Sequence, residues 1–170
     1  MGREVRRVPA DWQHPKNERG DYVPLFDGKD YERRVREWDE GAAKWAEGLR
    51  DDWNGGWQPI GDVKSKTYAE WSGDRPDAAD YMPRWSDAER THLMMYEDTS
   101  EGTPISPAFS TPEELARWLA DNGASAFGNS TADYEHWLRV ARGGFAVGLV
   151  LTQHGDGTAT MENGVQAAVL

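Results

Sequence analysis

The chain has 170 residues, 38% of them hydrophobic, and carries 30 Asp and Glu against 19 Lys and Arg for a formal net charge of −11. It has no cysteine, which excludes disulfides, thiolate catalysis and Cys-based zinc sites; no stretch reaches the ~20 apolar residues of a membrane span. Such an acidic balance disfavours nucleic acid and anionic membranes as direct partners and favours basic proteins.

A chain of this size is expected to form one domain. With so few aliphatic side chains, its core must lean on nine Trp, six Tyr and four Phe. Each aromatic ring buries roughly 150–250 Å², enough to offset the low hydrophobicity. The first twenty residues lack the apolar segment of a signal peptide, so the cytoplasm is the expected location.

Residues 1–28 are rich in Pro, Gly and charge. Pro9, Pro15 and Pro24 exclude a long helix here. The spacing predicts an extended arm anchored by Trp12, Tyr22, Leu25 and Phe26. Residues 29–53 carry a helical stripe, Tyr31, Val35, Trp38, Ala42, Trp45 and Leu49, at alternating spacings of four and three. Asp30 is its expected cap, and Asn54-Gly55-Gly56 its expected stop.

Residues 54–109 form a mixed, acidic segment. Val63 to Trp71 alternates enough to suggest a strand. Ser86-Asp87-Ala88-Glu89 has the pattern of a capping box for a short helix. "THLMMYE" (91–97) reads as a buried strand, although a short apolar run does not by itself exclude helix. From Glu70 to Glu114 there are eleven acids against three arginines and no lysine.

Residues 110–143 read as a helix pair. Thr111, Pro112 and Glu114 specify the first helix start, and Asn122-Gly123 its end. Ser130 or Thr131 is the expected start of the second, which Gly143-Gly144 stops. Residues 144–170 are β-rich around the turn "HGDG" and read as a C-terminal hairpin. The fold class is therefore α+β: a single Trp-rich domain with one long N-terminal amphipathic helix, a central helix pair and a small antiparallel sheet that includes the C-terminal hairpin.

The segment from Tyr96 to Ser106 is the candidate ligand or partner site. Its residues are Tyr96, Glu97, Asp98, Ser100, Glu101, Gly102, Thr103 and Ser106. Gly102 permits a close backbone approach, and Pro104 and Pro107 stiffen the backbone around Ser106. Hydroxyls ahead of the helix N-terminus at Thr111 suggest an anion site, but no Lys or Arg lies between Arg90 and Arg117. A docking loop or rigid connector is the better expectation. No Walker loop, HExxH, EF-hand or Gly-x-Ser-x-Gly elbow occurs, so neither a catalytic residue nor a metal or other cofactor is expected. The tryptophans of irregular stretches, Trp53, Trp57, Trp71 and Trp85, are the expected exposed ones.

Four blocks, "VPADWQHPKNERGDYVPLFDG", "DYMPRW", "ERTHLMMYEDTSEGTPISP" and "TPEELARWLADNGASAFGNSTADYEHWL", resemble segments of a family of small proteins encoded by tailed phages and prophages. The similarity covers most of residues 5–140. It implies an accessory protein made in the infected bacterial cell, and no catalytic residues to carry over. The first functional expectation is an acidic, host-directed protein of inhibitor or anti-defence type. It would act by protein–protein interaction on a host or phage protein, such as a basic nucleic-acid-binding factor whose ligand it imitates. The alternative is a small-ligand or nucleotide-binding protein, or minor enzyme, built on the Tyr96–Ser106 loop; the third is a minor virion component.

Overall fold

The computed structural model describes residues 2–97, 102–156 and 158–167. The fold is mixed α+β, with helices, small antiparallel sheets and tryptophan-rich aromatic clusters. Among the described residues, no helix is long and apolar enough to cross a membrane. The chain groups into two compact units, Met1–Leu25 with Trp85–Leu170, and Phe26–Arg84.

The first unit is built on strand β1, Arg3–Val8, in a stretch whose sequence reads as part of the irregular arm. It pairs antiparallel with β4, His92–Glu97, the strand expected from "THLMMYE". β5, Thr103–Pro104, and β6, Phe145–Ala146, complete a sheet of order β5-β4-β1-β6. Arg6 lies opposite Met94, and Val5 opposite Met95. Because successive strand residues face opposite sides, this register sorts the chemistry. Val5, Leu93 and Met95 face the helices α3, Pro112–Asp121, and α4, Tyr134–Gly143, and meet Leu115, Leu119, Trp137 and Val140 in the core. Arg6, Val8, Met94 and Tyr96 share the other face, which the arm covers. Met94, Met95 and Tyr96 are therefore buried consecutively, on alternating sides of the sheet.

The start of α3 is as expected: the Thr111 side chain accepts from the Glu114 N–H. The Glu114 carboxylate reaches back to the N–H and hydroxyl of Ser110. The start of α4 differs. Asp133, not Ser130 or Thr131, caps it by accepting from the His136 N–H, because Ser130 is engaged in a bridge with Phe127. Gly144, at φ 86°, ends the helix in the left-handed conformation. The C-terminal hairpin joins β7, Leu149–Gln153, to β8, Ala159–Asn163. Its return strand stops at Asn163, whose side chain accepts from the Gln166 N–H and opens a short helix, Gly164–Ala167.

The second unit holds the amphipathic helix α1, Tyr31–Ala46. It stops short of residue 53. Gly48 turns the chain at φ 85° into β2, Leu49–Asp51, which pairs with β3, Trp57–Pro59. Asn54-Gly55-Gly56 thus turns a hairpin instead of ending a helix, with the Asp52 carboxylate accepting from the N–H groups of Asn54 and Gly56. The α1 stripe is half-buried, and the one buried residue of the helix is Gly41, beside it. A Cβ at Gly41 would overlap the Tyr68 ring, so only glycine admits that ring against the helix. Trp38 and Trp45 pack on that ring, and Trp71 packs on Trp45.

Two local expectations fail in instructive ways. The segment expected as a strand contains the helix α2, Tyr68–Ser72, because Thr67 caps the Glu70 N–H. Ser86 and Glu89 form half of their box: the carboxylate takes the Ser86 N–H at 2.8 Å, while the Glu89 N–H bonds the Ser86 carbonyl instead of its hydroxyl. It closes a single turn, since the strand begins at His92.

Candidate functional site

The polar face of the β1–β4 pair is where the chain concentrates unusual chemistry. Tyr96 is fully buried, yet its hydroxyl has three partners. The Trp12 Nε1–H donates to it at 3.1 Å, His14 Nδ1 lies 3.2 Å away and Met94 Sδ 3.4 Å. His14 Nε2 is 2.6 Å from the Val23 carbonyl. A carbonyl only accepts, so Nε2 carries the proton, and neutral His14 accepts at Nδ1 from the tyrosine. The relay therefore runs from the Trp12 N–H to the Tyr96 hydroxyl, on to His14, and ends on the Val23 carbonyl.

Beneath it sits Arg6, also buried. Its guanidinium lies 4.5 Å from the Tyr96 ring centroid. It donates to the Glu4 carboxylate at 3.0 Å and to the Leu25 carbonyl at 2.7 Å. The bond to Leu25 ties the far end of the arm to the sheet. Gly102 tightens the same junction: its carbonyl accepts from the Leu25 N–H at 3.3 Å, and its φ is +54°. A Cβ there would overlap the Leu25 carbonyl. The expected close approach at Gly102 is thus made, with the arm as the neighbour.

Burial dictates the titration of this cluster. Desolvation holds the His14 imidazole below its ordinary range; the Val23 hydrogen bond opposes this and Arg6 adds to it. Burial pushes the Tyr96 hydroxyl up to about 12, against the opposing pull of the Trp12 N–H and Arg6. Both shifts carry a stability consequence. As pH falls below about 6.5, the unfolded chain takes up a proton that folded His14 resists, so stability declines and then levels off once folded His14 titrates too. Above about 10 the unfolded chain releases a proton that folded Tyr96 keeps, so stability falls again up to about 12. Melting curves between pH 5 and 7 are expected to show the acid limb, and His14→Gln to flatten it. An unchanged limb in that variant assigns it to another group.

Above the relay opens a cleft of about 850 Å³. One wall is the arm, with Trp12, Gln13, His14, Lys16 and Tyr22; the other is Pro104 to Ala108, with Met94 and Trp118 also lining it. Lys16 and Tyr22 are bridge partners in a small hairpin of the arm, and the ammonium lies 4.6 Å from the Tyr22 ring centroid. The opposite wall runs beside β4. The Ile105 N–H bonds the Met95 carbonyl, and Leu93 and Phe109 exchange two bonds. Between them the Ser106 hydroxyl stands in for a backbone acceptor, taking the Met95 N–H at 2.9 Å and donating to the Pro107 carbonyl at 2.8 Å.

Of the residues singled out by sequence, Ser106 lines the cleft and Tyr96 lies under it. Gly102 secures its edge, while Thr103 pairs with Glu97 in the β5–β4 ladder. Asp98, Ser100 and Glu101 lie outside the described residues. Sequence reading misses Arg6, Gln13, His14 and Lys16, and treats Trp12 and Tyr22 only as anchors. The available signal is the density of aromatic and basic residues between Arg6 and Tyr22. Trp53 and Trp57 are exposed as expected, Trp53 at 76%, whereas Trp71 and Trp85 pack on Trp45 and Trp12. Among the described residues, no three His, Asp or Glu side chains gather where a metal ion would sit.

No protein-family model, curated protein or solved structure matches the chain.

Proposed function

We propose that the protein acts by binding, and that the cleft between the arm and residues 104–108 is its binding site. The observation that carries this reading is the cleft's size and lining: about 850 Å³ with Trp12, Tyr22 and Trp118 on it. That volume is in the range of small-molecule sites, and the aromatic side chains on its walls suit a flat, ring-bearing ligand. The polar side chains of the floor support binding over catalysis. Both His14 nitrogens and the Ser106 hydroxyl already have partners within the protein, so neither is poised as base or nucleophile. The likeness to small phage-encoded proteins supplies the setting we propose, an accessory protein of the infected bacterial cell whose ligand comes from the host or the phage.

A host-directed mimic of nucleic acid is the second reading, supported by the net charge of −11. It is the weaker one, because many acids of the central segment have local duties. Glu70, Asp77, Glu89 and Glu114 accept from backbone N–H groups, while Asp87 pairs with Arg90 and Glu113 with Arg142. Carboxylates engaged in capping and ion pairs make a poorer phosphate imitation than free ones.

The test is a thermal-shift screen of ring-bearing compounds, followed by NMR of the indole N–H signals. Compounds that raise the melting temperature are expected to shift the Trp12 and Trp118 signals and to lose at least about tenfold in affinity in Tyr22→Ala, where 41% exposure makes folding safe. Hits that move only Trp53 or Trp57, or no hits at all, would overturn the proposal.

A further inference from the structure

The cleft differs in charge from the chain that builds it. Thirty of 170 residues are acidic, yet among the described residues none lines the cleft, and Lys16 is the one Lys or Arg that does. The sequence objection to an anion is the lack of a cation between Arg90 and Arg117; the fold removes it by laying the arm, with Lys16, across from Pro104–Ala108.

The hydrogen-bonding capacity of the lining is also one-sided. On the 104–108 wall and the floor, the Ser106 hydroxyl and the His14 ring are committed internally, and the Trp12 N–H is held by Tyr96. The remaining walls there are Met94, Pro104, Ile105, Pro107, Ala108 and Trp118, which offer apolar contact. Side-chain groups with spare capacity are the Lys16 ammonium, the Gln13 amide and the Tyr22 hydroxyl on the arm, and the Trp118 indole N–H on the other side. Three of the four carry nitrogen donors, and the ammonium and the indole can only donate. A ligand that satisfies both sides is flat and apolar at one end and an acceptor at the other.

From this we infer that the cleft takes an aromatic anion, with its ring against Pro104, Ile105, Pro107 and Trp118 and its carboxylate or phosphate on Lys16. This rests on the binding reading above and sharpens it to a ligand class and an orientation. Dispersion and stacking hold the ring. The ammonium, partly screened from water by the Tyr22 face, meets the anion as a charge-assisted donor. Among the described residues no carboxylate lines the cleft to oppose that contact at short range, while more distant acids are attenuated beyond about 8–10 Å at physiological salt.

Four naphthyl and non-aromatic probes separate the claims: 2-naphthylacetate, 2-naphthyl phosphate, the neutral 2-naphthylacetamide, and acetate. Binding is read by NMR titration of the Trp12 and Trp118 indole N–H signals in the wild type and in Lys16→Met, an exposed position. At least one naphthyl anion is expected to bind about tenfold or more tighter than the amide. Lys16→Met should bring it down to the amide's affinity and leave the amide unchanged, and acetate should not bind. Which anion is preferred identifies carboxylate or phosphate as the group recognised. Equal affinity for anion and amide, or anion binding indifferent to Lys16→Met, overturns the anion inference while the ring-binding cleft stands. No binding by any naphthyl probe overturns both.

Discussion

Replacing Trp137 by alanine is expected to destabilise the Met1–Leu25/Trp85–Leu170 unit by about 3–5 kcal/mol, the largest effect of any single side-chain truncation in the molecule. Of the nine tryptophans it alone is fully buried. It sits on α4 and meets the core built by Met95, Leu115, Leu119 and Val140. Its loss leaves a cavity where α3 and α4 pack on the sheet, too large for the neighbouring Leu, Val and Ala side chains to refill. Its indole N–H is buried with no partner, a penalty the ring's packing outweighs. Trp137→Phe therefore keeps most of the volume and removes an unsatisfied donor, so its cost should be much smaller than that of alanine. Trp53→Ala is the matched control: at 76% exposure it should change stability by no more than about 0.5 kcal/mol. Chemical denaturation followed by near-ultraviolet circular dichroism reads all three. A Trp137→Ala cost near that of Trp53→Ala would mean that the core is not organised around this ring.

Gly102→Ala is the second large effect, expected at about 2–4 kcal/mol. Part is conformational, since an L side chain in the left-handed region costs about 1–2 kcal/mol. The rest is positional. The new methyl would overlap the backbone carbonyl of Leu25, which also accepts from Arg6, so the arm must move and strain a buried guanidinium. Gly128→Ala separates the two parts. Gly128 has nearly the same φ, +55°, but open space where a Cβ would go, so it should show only the conformational cost. The difference between the variants measures the clamp on the arm. Because the arm forms one wall of the cleft, Gly102→Ala should also raise proteolysis between residues 9 and 25 and weaken ring binding, while Gly128→Ala does neither. Equal costs for the two would show that the arm is not clamped there.

The success of local reading tracks how local the deciding interaction is. The α3 start is legible because Thr111 accepts from the Glu114 N–H and the Glu114 carboxylate takes the Ser110 N–H, all within four residues. The "THLMMYE" strand is legible because burial on both faces demands a continuous apolar run. Where two local patterns compete, sequence alone chooses less well. The α1 stripe continues to Leu49, but Gly48 and the Asp52 turn convert its end into a hairpin. Thr67 overrides a weak alternation by capping a helix, and Ser130 loses the α4 cap to Asp133.

The cleft is only half legible. Tyr96, Gly102 and Ser106 stand out in a segment without a cation of its own, and each holds a place under or beside the cleft. The formation of β1 is invisible, since Arg3, Arg6 and Arg7 do not look like an inner strand. Arg6 can be buried there because the Tyr96 ring and the Leu25 carbonyl are brought to it from two other parts of the chain, beside the Glu4 carboxylate of its own strand. Composition and short-range periodicity govern the α+β class, the capped helix α3 and the acidic balance, so these can be read from the residues alone; the expected reliance of the core on aromatic rings is not met, since among the buried hydrophobic residues described only Tyr81, Tyr96 and Trp137 are aromatic. The meeting of Trp12, His14 and Lys16 with Ser106 across one cleft is a tertiary outcome. It depends on antiparallel register and on one close backbone contact at Gly102, and neither leaves a periodic trace in the chain.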